Sequence, residues 1–286
     1  MIYKYITPFL LLLTSVILYS LYPHSKNHAL QEKRMVIVIP SYNNGEWCLR
    51  NLISAFSQNY TNYRIIYIDD CSTDNTYNQV FSCISLFNQW HRTKLIKNPK
   101  NFGALANTYF AVHSCNNYDI IVILDGDDWF AHYDVLETIN RLYTTKNIWL
   151  SYGSFINWPT GKRGFCRNIP QSVIDANDFR KYRYTAAALR TFYVWLFKKI
   201  QRHDLLDMRH PYVGTFYASA GDVAYMFPMQ EMAGNRFCYI KDIIYIRNVK
   251  TPLNDFKVHR KLQARITHDI HHKQPYQRLS DTAALI

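Results

Sequence analysis

Three aspartates follow an apolar run in the stretch IIVILDGDDWF, which spans residues 120–130. The run predicts a strand buried on both faces, and Asp125, Asp127 and Asp128 come directly after it. Like charges this close raise one another's pKa and destabilise a fold unless positive charge lies between them. A divalent cation such as Mg²⁺, Mn²⁺ or Ca²⁺ would supply that charge, often shared with nucleotide phosphates. The alternative is a solvated acidic turn in which Asp128 caps the next helix.

Polar residues also follow three earlier apolar runs, each at the point where a strand is predicted to end. These clusters occupy residues 40–43, 69–74 and 98–103. In open parallel sheets, ligands bind outside the carboxyl ends of the strands. Four clusters at four successive strand ends therefore favour a ligand site over an isolated acidic turn.

The elements that must position these clusters alternate between apolar runs and amphipathic segments. Strands are predicted at MVIVIP, RIIYIDD, TKLIK and IIVIL, and helices are predicted between them. This βαβαβαβ order predicts an α/β fold with a doubly wound, mainly parallel sheet. A further helix is predicted within residues 177–200, because Leu189, Phe192, Leu196 and Ile200 recur at helical spacing. One face of it is expected in the core, although its aromatic and arginine residues could instead contact an acceptor or a membrane surface.

The bulk composition limits the function classes. The chain has 286 residues, and its high content of apolar and aromatic residues excludes a disordered protein. Its formal net charge is +12. Its Lys and Arg residues are scattered, which favours an anionic small substrate or a membrane surface over nucleic acid. The six cysteines show no CxxC or zinc spacing and neither require nor exclude disulfides.

The N-terminal segment predicts a membrane anchor. No charged residue occurs from Ile6 to Tyr22, and a helix of about 17 residues spans roughly 25 Å. We expect an anchor at residues 1–23, a stem at 24–34, a catalytic domain at 35–255 and a C-terminal tail at 256–286. A cleaved signal peptide is the alternative. The charges flanking the run are nearly balanced; a type II protein with a lumenal catalytic domain is favoured, with the cytoplasmic side as the other orientation.

Four motifs in this order resemble those of the family-2 glycosyltransferases of the GT-A fold. They are IPSYNN from Ile39, DDCSTDNT from Asp69, NFGALAN from Asn101 and DGDDW from Asp125. The third departs from the family pattern because its second asparagine, Asn107, arrives early. The resemblance is specific over residues 35–129 and looser to about residue 255. It implies a GT-A fold, with a Rossmann-like sheet, and a nucleotide-sugar donor of the UDP type.

The resemblance also implies roles for individual residues. Tyr42 offers a ring for stacking on a base, and Asp70 an acceptor for a pyrimidine imide N–H. Donor-binding residues are expected at Pro40, Tyr42, Asp70, Asn101 and Asp125, and ligands of Mn²⁺ or Mg²⁺ at Asp127 and Asp128. Some enzymes of this fold add a late histidine to the metal shell. His271 is the candidate here, with His268 and His272 as alternatives, and a simple surface cluster explains all three equally well.

A catalytic base is expected about a hundred residues after the acidic motif. Family members often carry it as ED or GD at the start of a helix, and the matching residue here is Asp222, in the stretch ASAGDVAY. Glu231 is the alternative, because its apolar neighbours would raise the pKa of a carboxyl group. Asp222 could also serve only to stabilise the helix N-terminus.

The predicted function is that of a membrane-attached, metal-dependent, inverting glycosyltransferase acting on a glycan, protein or lipid acceptor. An inactive binding protein for nucleotide sugars or carbohydrates is the alternative. Aspartyl-phosphate phosphatases need Thr or Val two residues after their second Asp, where this chain has Trp129. Nucleotidyltransferases typically carry a Gly-rich loop with a basic residue after the first strand, which SYNNGEW does not provide.

Overall fold

A computed structural model of the protein describes residues 30–251 and 260–280. Glu32–Ile286 form one unit, and only Leu30 and Gln31 are described from the residues before it. The predicted anchor at residues 1–23 lies outside the described residues, as does most of the stem. Within the two described ranges, no helix is both long and apolar enough to cross a bilayer. The domain boundaries remain predictions.

Eleven strands occur in the described residues. They are β1 Met35–Ser41, β2 Tyr63–Asp69, β3 Thr93–Lys97, β4 Ile120–Ile123, β5 Trp129–Phe130, β6 Leu150–Trp158, β7 Lys162–Arg163, β8 Arg190–Tyr193, β9 Leu206–Asp207, β10 Thr215–Phe216 and β11 Phe237–Asn248. The four strands predicted from the apolar runs are confirmed as β1 to β4.

Eight α-helices lie between or after these strands in the same part of the chain. They are α1 Cys48–Phe56, α2 Thr76–Leu86, α3 Ala104–His113, α4 Val135–Thr145, α5 Gln171–Ala176, α6 Val194–Lys198, α7 Gly221–Ala233 and α8 Arg260–His271. The three helices predicted between β1 and β4 are confirmed as α1, α2 and α3. A 3₁₀ helix, Arg202–Leu205, precedes β9.

One large sheet joins most of the strands, in the order β3-β2-β1-β4-β8-β6-β11-β5, with β7 on the edge of β6. The strands β3, β2, β1 and β4 are parallel, and β11 is parallel to β6, whereas β8 runs antiparallel to both β4 and β6. The edge strands β5 and β7 are antiparallel to their neighbours β11 and β6, so the sheet is mixed. Six of its nine strands run in the same direction, so the predicted mainly parallel sheet is confirmed. The parallel register brings the carboxyl ends of β1, β2 and β4 together at one edge.

Both faces of this sheet are buried, as the continuous apolar runs predict. Along β1, Val36 and Val38 pack into the cluster covered by α3, α6, α7 and α8. Met35, Ile37 and Ile39 alternate with them and pack into the opposite cluster, covered by α1, α2 and α4. A strand with two buried faces is held rigidly, so the residues at its end have fixed positions.

The predicted helix within residues 177–200 is wrong. The segment forms a loop, then β8, and then the short helix α6. The four apolar side chains at helical spacing are all buried, so their assignment to the core is confirmed. The stretch RTFYVW is rich in β-branched and aromatic residues, which favour a strand, and pairing on both sides of β8 decided the local conformation. This strand carries Arg190 into the functional site.

Candidate functional site

The acidic turn after β4 lies against the end of β1. The backbone N–H of Gly126 donates to the carbonyl oxygen of Pro40 at 3.2 Å. The buried side chain of Asn51, on α1, donates to the carbonyl oxygens of Asp125 at 2.9 Å and Asp128 at 2.8 Å. These hydrogen bonds fix the backbone of the turn. The positions of its three carboxylates depend on other contacts.

Two cavities meet at this turn. The acidic cavity, of about 310 Å³, is lined by residues that include Pro40, Asp125, Asp127, Asp128, Arg190 and Asp222. The Tyr42 cavity, of about 830 Å³, is lined by residues that include Tyr42, Asp70, Asn101, Phe102 and Asp127. Asp127 borders both. The structure thus brings eight of the nine predicted site residues to two adjoining cavities.

Asp70 organises the wall of the Tyr42 cavity. One carboxylate oxygen accepts hydrogen bonds from the Asn98 side chain at 2.7 Å and from the backbone N–H of Phe102 at 2.9 Å. The other accepts from the backbone N–H of Gly103 at 2.8 Å. These contacts tie the loop after β3 to the end of β2. Asp70 therefore has a structural role here, and its predicted contact with a nucleotide base remains a prediction.

Tyr42 is available for stacking, since 39% of its surface is exposed at the cavity. The asparagine that departs from the family spacing, Asn107, is buried, and its side-chain oxygen accepts from Asn98 at 2.7 Å. Asn107 thus stabilises the loop after β3 through Asn98, and it does not line either cavity. Asn101 lies on the exposed side of the same loop.

Asp128 differs from the other two acids of the turn because it is buried. Its carboxylate accepts from the Tyr245 hydroxyl at 2.7 Å and from the backbone N–H of Asn248 at 2.6 Å. Burial, together with the charges of Asp127 and Asp125, raises the pKa of Asp128 well above its usual range. Both of its oxygens are engaged in holding β11 against the turn. Asp127 is consequently the better placed of the two predicted cation ligands.

Asp222 faces the turn from the other wall of the acidic cavity, in the first turn of α7. The guanidinium of Arg190 lies between the two walls. Its Nη2 donates to Asp125 Oδ2 at 2.8 Å, and its Nη1 is 3.4 Å from Asp222 Oδ2. The chain itself thus supplies one positive charge between the acids. Proximity to the helix N-terminus also suits the charge of Asp222, so the stabilising role and the base role are compatible.

Glu231 lies outside both cavities and is an interior ion-pair residue. Its carboxylate receives two hydrogen bonds from the buried Arg180 guanidinium, at 2.6 and 2.9 Å, and one from the backbone N–H of Tyr276 at 3.0 Å. A carboxylate with these partners is fully enclosed and cannot reach an acceptor hydroxyl. The structure therefore does not support Glu231 as the alternative base.

His271 does not line either of these two cavities. It lines a different cavity, together with Arg180 and Lys181, and its Nδ1 contacts the carbonyl oxygen of Arg180. Gln263 of α8 lines both this cavity and the acidic cavity, and eight residues of helix, about 12 Å, separate it from His271. Among the described residues no group of three or more His, Cys, Asp and Glu side chains could hold a metal ion. His271 does not line the acidic cavity, and its role as a metal ligand stays a prediction.

Sequence reasoning missed Arg190, Asn51 and Tyr245. Each acts on the acidic turn from a different element: β8, α1 and β11. A buried arginine in an apolar strand is a detectable signal, because such a charge requires a partner. Asn51 and Tyr245 gave no comparable signal, since both residue types are ordinary on a helix or strand face.

The comparisons with known proteins agree with this geometry. Residues 36–203 match the sequence profile described as Glycosyl transferase family 2. The poly(ribitol-phosphate) beta-N-acetylglucosaminyltransferase TarP of Staphylococcus aureus is 26% identical over 193 residues, which are 66% of this chain and 55% of that protein. The putative colanic acid biosynthesis glycosyl transferase WcaA of Escherichia coli is 31% identical over 115 residues, 37% of this chain and 40% of its own length. The chain spans about half the length, or less, of the curated relatives it matches.

Solved structures share the fold. S. aureus TarS 1-349 in complex with UDP-GlcNAc has a TM-score of 0.55 and 16% identity, covering 76% of this chain and 59% of that one. The mannosyltransferase PcManGT from Pyrobaculum calidifontis, in complex with GDP-Man and Mn²⁺, has a TM-score of 0.58 and 15% identity. The match covers 93% of this chain and 73% of that one. The profile match covers more than half of the chain, including β2 to β4, the acidic turn and all of β1 except Met35. The chain therefore belongs to glycosyl transferase family 2 and has its GT-A fold.

Proposed function

We propose that the protein transfers a sugar from a nucleotide sugar, favouring a UDP type, to a hydroxyl group of a glycan, protein or lipid acceptor. The observation that carries this proposal is the position of Asp127, which borders both cavities. A nucleotide in the Tyr42 cavity would extend its diphosphate towards Asp127 and its sugar into the acidic cavity. The solved complexes of TarS with UDP-GlcNAc and PcManGT with GDP-Man support this class of donor.

The proposed chemistry is a single displacement at the anomeric carbon. The acceptor hydroxyl oxygen attacks this carbon while its proton passes to the carboxylate of Asp222. The bond from the anomeric carbon to the diphosphate oxygen breaks, and its electron pair leaves with the nucleoside diphosphate. Attack opposite the leaving group inverts the configuration, and no covalent enzyme intermediate forms.

The residues present fit a divalent cation only in part. Carboxylate oxygens suit Mn²⁺ and Mg²⁺, and Mg²⁺ is often bound by one or two carboxylates together with substrate phosphates. Asp127 meets that requirement, with Asp128 behind it, whereas a complete ligand set from protein side chains does not occur among the described residues. When bound, the cation would neutralise charge that develops on the diphosphate. The Mn²⁺ in the PcManGT complex supports this choice of cofactor.

The test is a screen of nucleotide sugars, beginning with UDP-GlcNAc, for release of nucleoside diphosphate with and without Mn²⁺. We expect metal-dependent release for one donor and its loss in Asp127→Asn. Asp242→Asn is the matched control, because Asp242 is exposed on β11 and lines neither cavity. Absence of both turnover and metal-dependent binding for every donor would contradict the proposal. Binding without turnover would favour the inactive binding protein.

A further inference from the structure

Arg190 is a buried charge that contacts acids from two separate elements. Only 7% of its surface is exposed, yet its guanidinium lines the acidic cavity. Its hydrogen bond to Asp125 is 2.8 Å long, and its contact with Asp222 is 3.4 Å. Asp125 belongs to the turn after β4 and Asp222 to α7, so the guanidinium bridges the two walls of the cavity.

The backbone that carries Arg190 is fixed on both sides. In the sheet, Arg190 pairs with Ile123 of β4 and with Tyr152 of β6. Ile123 is two residues before Asp125, so the arginine and the acidic turn are set by the same strand pairing. A side chain that starts from the centre of a rigid sheet can hold a partner more accurately than one from a loop.

The charges around this bridge explain why it is needed. Without the guanidinium, the carboxylate of Asp222 would face that of Asp125 across the cavity, with Asp127 on the same turn as Asp125. Like charges would then favour rotation of the Asp222 side chain away from the turn. The two contacts are unequal, and the shorter one is made to Asp125. Arg190 therefore restrains Asp222, but it binds the carboxylate of Asp222 less tightly than that of Asp125.

We propose that Arg190 is a positioning residue of the transfer reaction, which holds the carboxylate of Asp222 at a set distance from the donor. This inference rests on the proposed function, in which Asp222 accepts the proton of the attacking hydroxyl. Displacement of a reacting group by about 1 Å can lower a rate by about 100-fold. The Tyr42 cavity does not include Arg190, so binding of the nucleotide should depend on it much less.

The experiment measures hydrolysis of the UDP-sugar found in the donor screen, with water as acceptor, and the affinity for UDP in the presence of Mn²⁺. We expect Arg190→Gln to lower kcat by about 100-fold and to change the Kd for UDP by less than about three-fold. Arg190→Lys keeps the charge but not the fork of donors, and should recover part of the rate.

The matched control is Arg64→Gln. Arg64 lies on β2, and its guanidinium is 3.5 Å from the buried Asp119, at the opposite end of β4. The Arg64→Gln substitution removes an arginine–aspartate contact from the same sheet, and Arg64 lines neither cavity. The kcat of this variant should stay within about two-fold of the wild-type value.

A double-mutant cycle separates positioning from a general structural effect. If Arg190 acts through Asp222, Arg190→Gln changes the residual rate of Asp222→Asn by less than about three-fold. The inference would be overturned if the rate losses of Arg190→Gln and Asp222→Asn multiplied in the double variant. It would also be overturned if Arg190→Gln lost affinity for UDP in parallel with kcat, or if neither Arg190 variant showed a thermal unfolding transition. A wild-type rate in Asp222→Asn alone would instead refute the base assignment of the proposed function.

Discussion

At the scale of single residues, the carboxylates of the site have unlike environments. Asp125 is paired with Arg190, Asp128 is buried against Tyr245 and the backbone of Asn248, and Asp222 lies across the cavity in the first turn of α7. Identical side chains can thus have different tasks, because hydrogen bonds and burial decide which of them can bind a cation or accept a proton.

Replacing Asp222 by Asn tests the proposed base. The amide cannot accept the hydroxyl proton, so we expect kcat for donor hydrolysis to fall by about 10²–10⁴-fold. Affinity for UDP should be retained, because Asp222 does not line the Tyr42 cavity. Steady-state kinetics and titration calorimetry measure these two quantities. A kcat close to that of the wild type would remove Asp222 from the mechanism.

At the scale of elements, the acidic turn depends on close contact with the end of β1. A Cβ atom placed on Gly126 would lie 2.7 Å from both Cβ and Oγ of Ser41, and 2.8 Å from the Asn44 side chain. No real Cβ atom tolerates such distances, so the turn can approach β1 only with glycine at this position. This contact gives a physical reason for the glycine inside the DGDD motif.

We therefore expect Gly126→Ala to push the turn away from β1. Overpacking of this kind costs about 1–3 kcal/mol of unfolding free energy, and the displaced carboxylates should lower kcat as well. Urea unfolding and donor hydrolysis measure the two effects. Gly161→Ala is a useful comparison: a Cβ atom placed on Gly161 would have no other atom within 4 Å, although its positive φ adds some strain of its own. Unchanged kcat in Gly126→Ala would show that the turn tolerates displacement.

A second contact between elements gives a pH dependence. Asp74 accepts hydrogen bonds from the backbone N–H of Thr76, the first residue of α2, at 2.9 Å and from that of Gly45 at 3.0 Å. Partial burial raises its pKa, but the hydrogen bonds from Thr76 and Gly45 outweigh burial, and the pKa of Asp74 lies below its usual value. A lowered carboxyl pKa stabilises the fold above the unfolded-state pKa, and this stabilisation is lost as pH falls through the folded-state pKa.

Asp74→Asn should consequently lower the free energy of unfolding by about 0.5–1 kcal/mol at pH 7. The difference from the wild type should shrink as pH falls below about 4, where the wild-type carboxyl also becomes protonated. Urea midpoints for the two proteins between pH 3 and pH 7 measure this convergence. A difference that stays constant over that range would show that the ionised carboxylate is not the cause.

At the scale of the whole molecule, α8 packs into the core of the folded unit. Ile266 and Ile270 of α8 are buried in the same cluster as α7. Arg180 links three parts of the chain, because it binds Glu231 of α7 and also donates to the carbonyl oxygen of Ile270 at 2.7 Å. α8 and Arg180 therefore support α7, which carries the proposed base.

Glu231→Gln should leave the buried charge of Arg180 without compensation. Breaking one partner of such a pair costs about 3–5 kcal/mol of unfolding free energy. Asp178→Asn breaks the exposed pair with Lys181 and should cost less than about 1 kcal/mol. Urea unfolding compares the two. Where Glu231→Gln remains folded, its kcat should stay close to the wild-type value, and a loss comparable to that of Asp222→Asn would restore Glu231 as a catalytic candidate.

The sequence by itself was sufficient for the elements whose signal is local. Continuous apolar runs predicted β1 to β4, and helical spacing predicted α1, α2 and α3, because periodicity reports directly on which faces are buried. The polar clusters at the strand ends also predicted that Tyr42, Asp70 and Asp127 would lie around one cleft, since parallel strands end at a shared edge. Asp222 was a candidate only through the family resemblance, and it lines the same acidic cavity as Asp127.

Contacts between distant segments were decided only by the tertiary structure. The four apolar residues of segment 177–200 fit a helix equally well, and pairing with β4 and β6 made part of it a strand. That pairing placed Arg190 between Asp125 and Asp222, and packing of α8 placed His271 at a cavity other than the acidic one. Residue spacing describes one element at a time, whereas the partner of a buried charge depends on how several elements pack together.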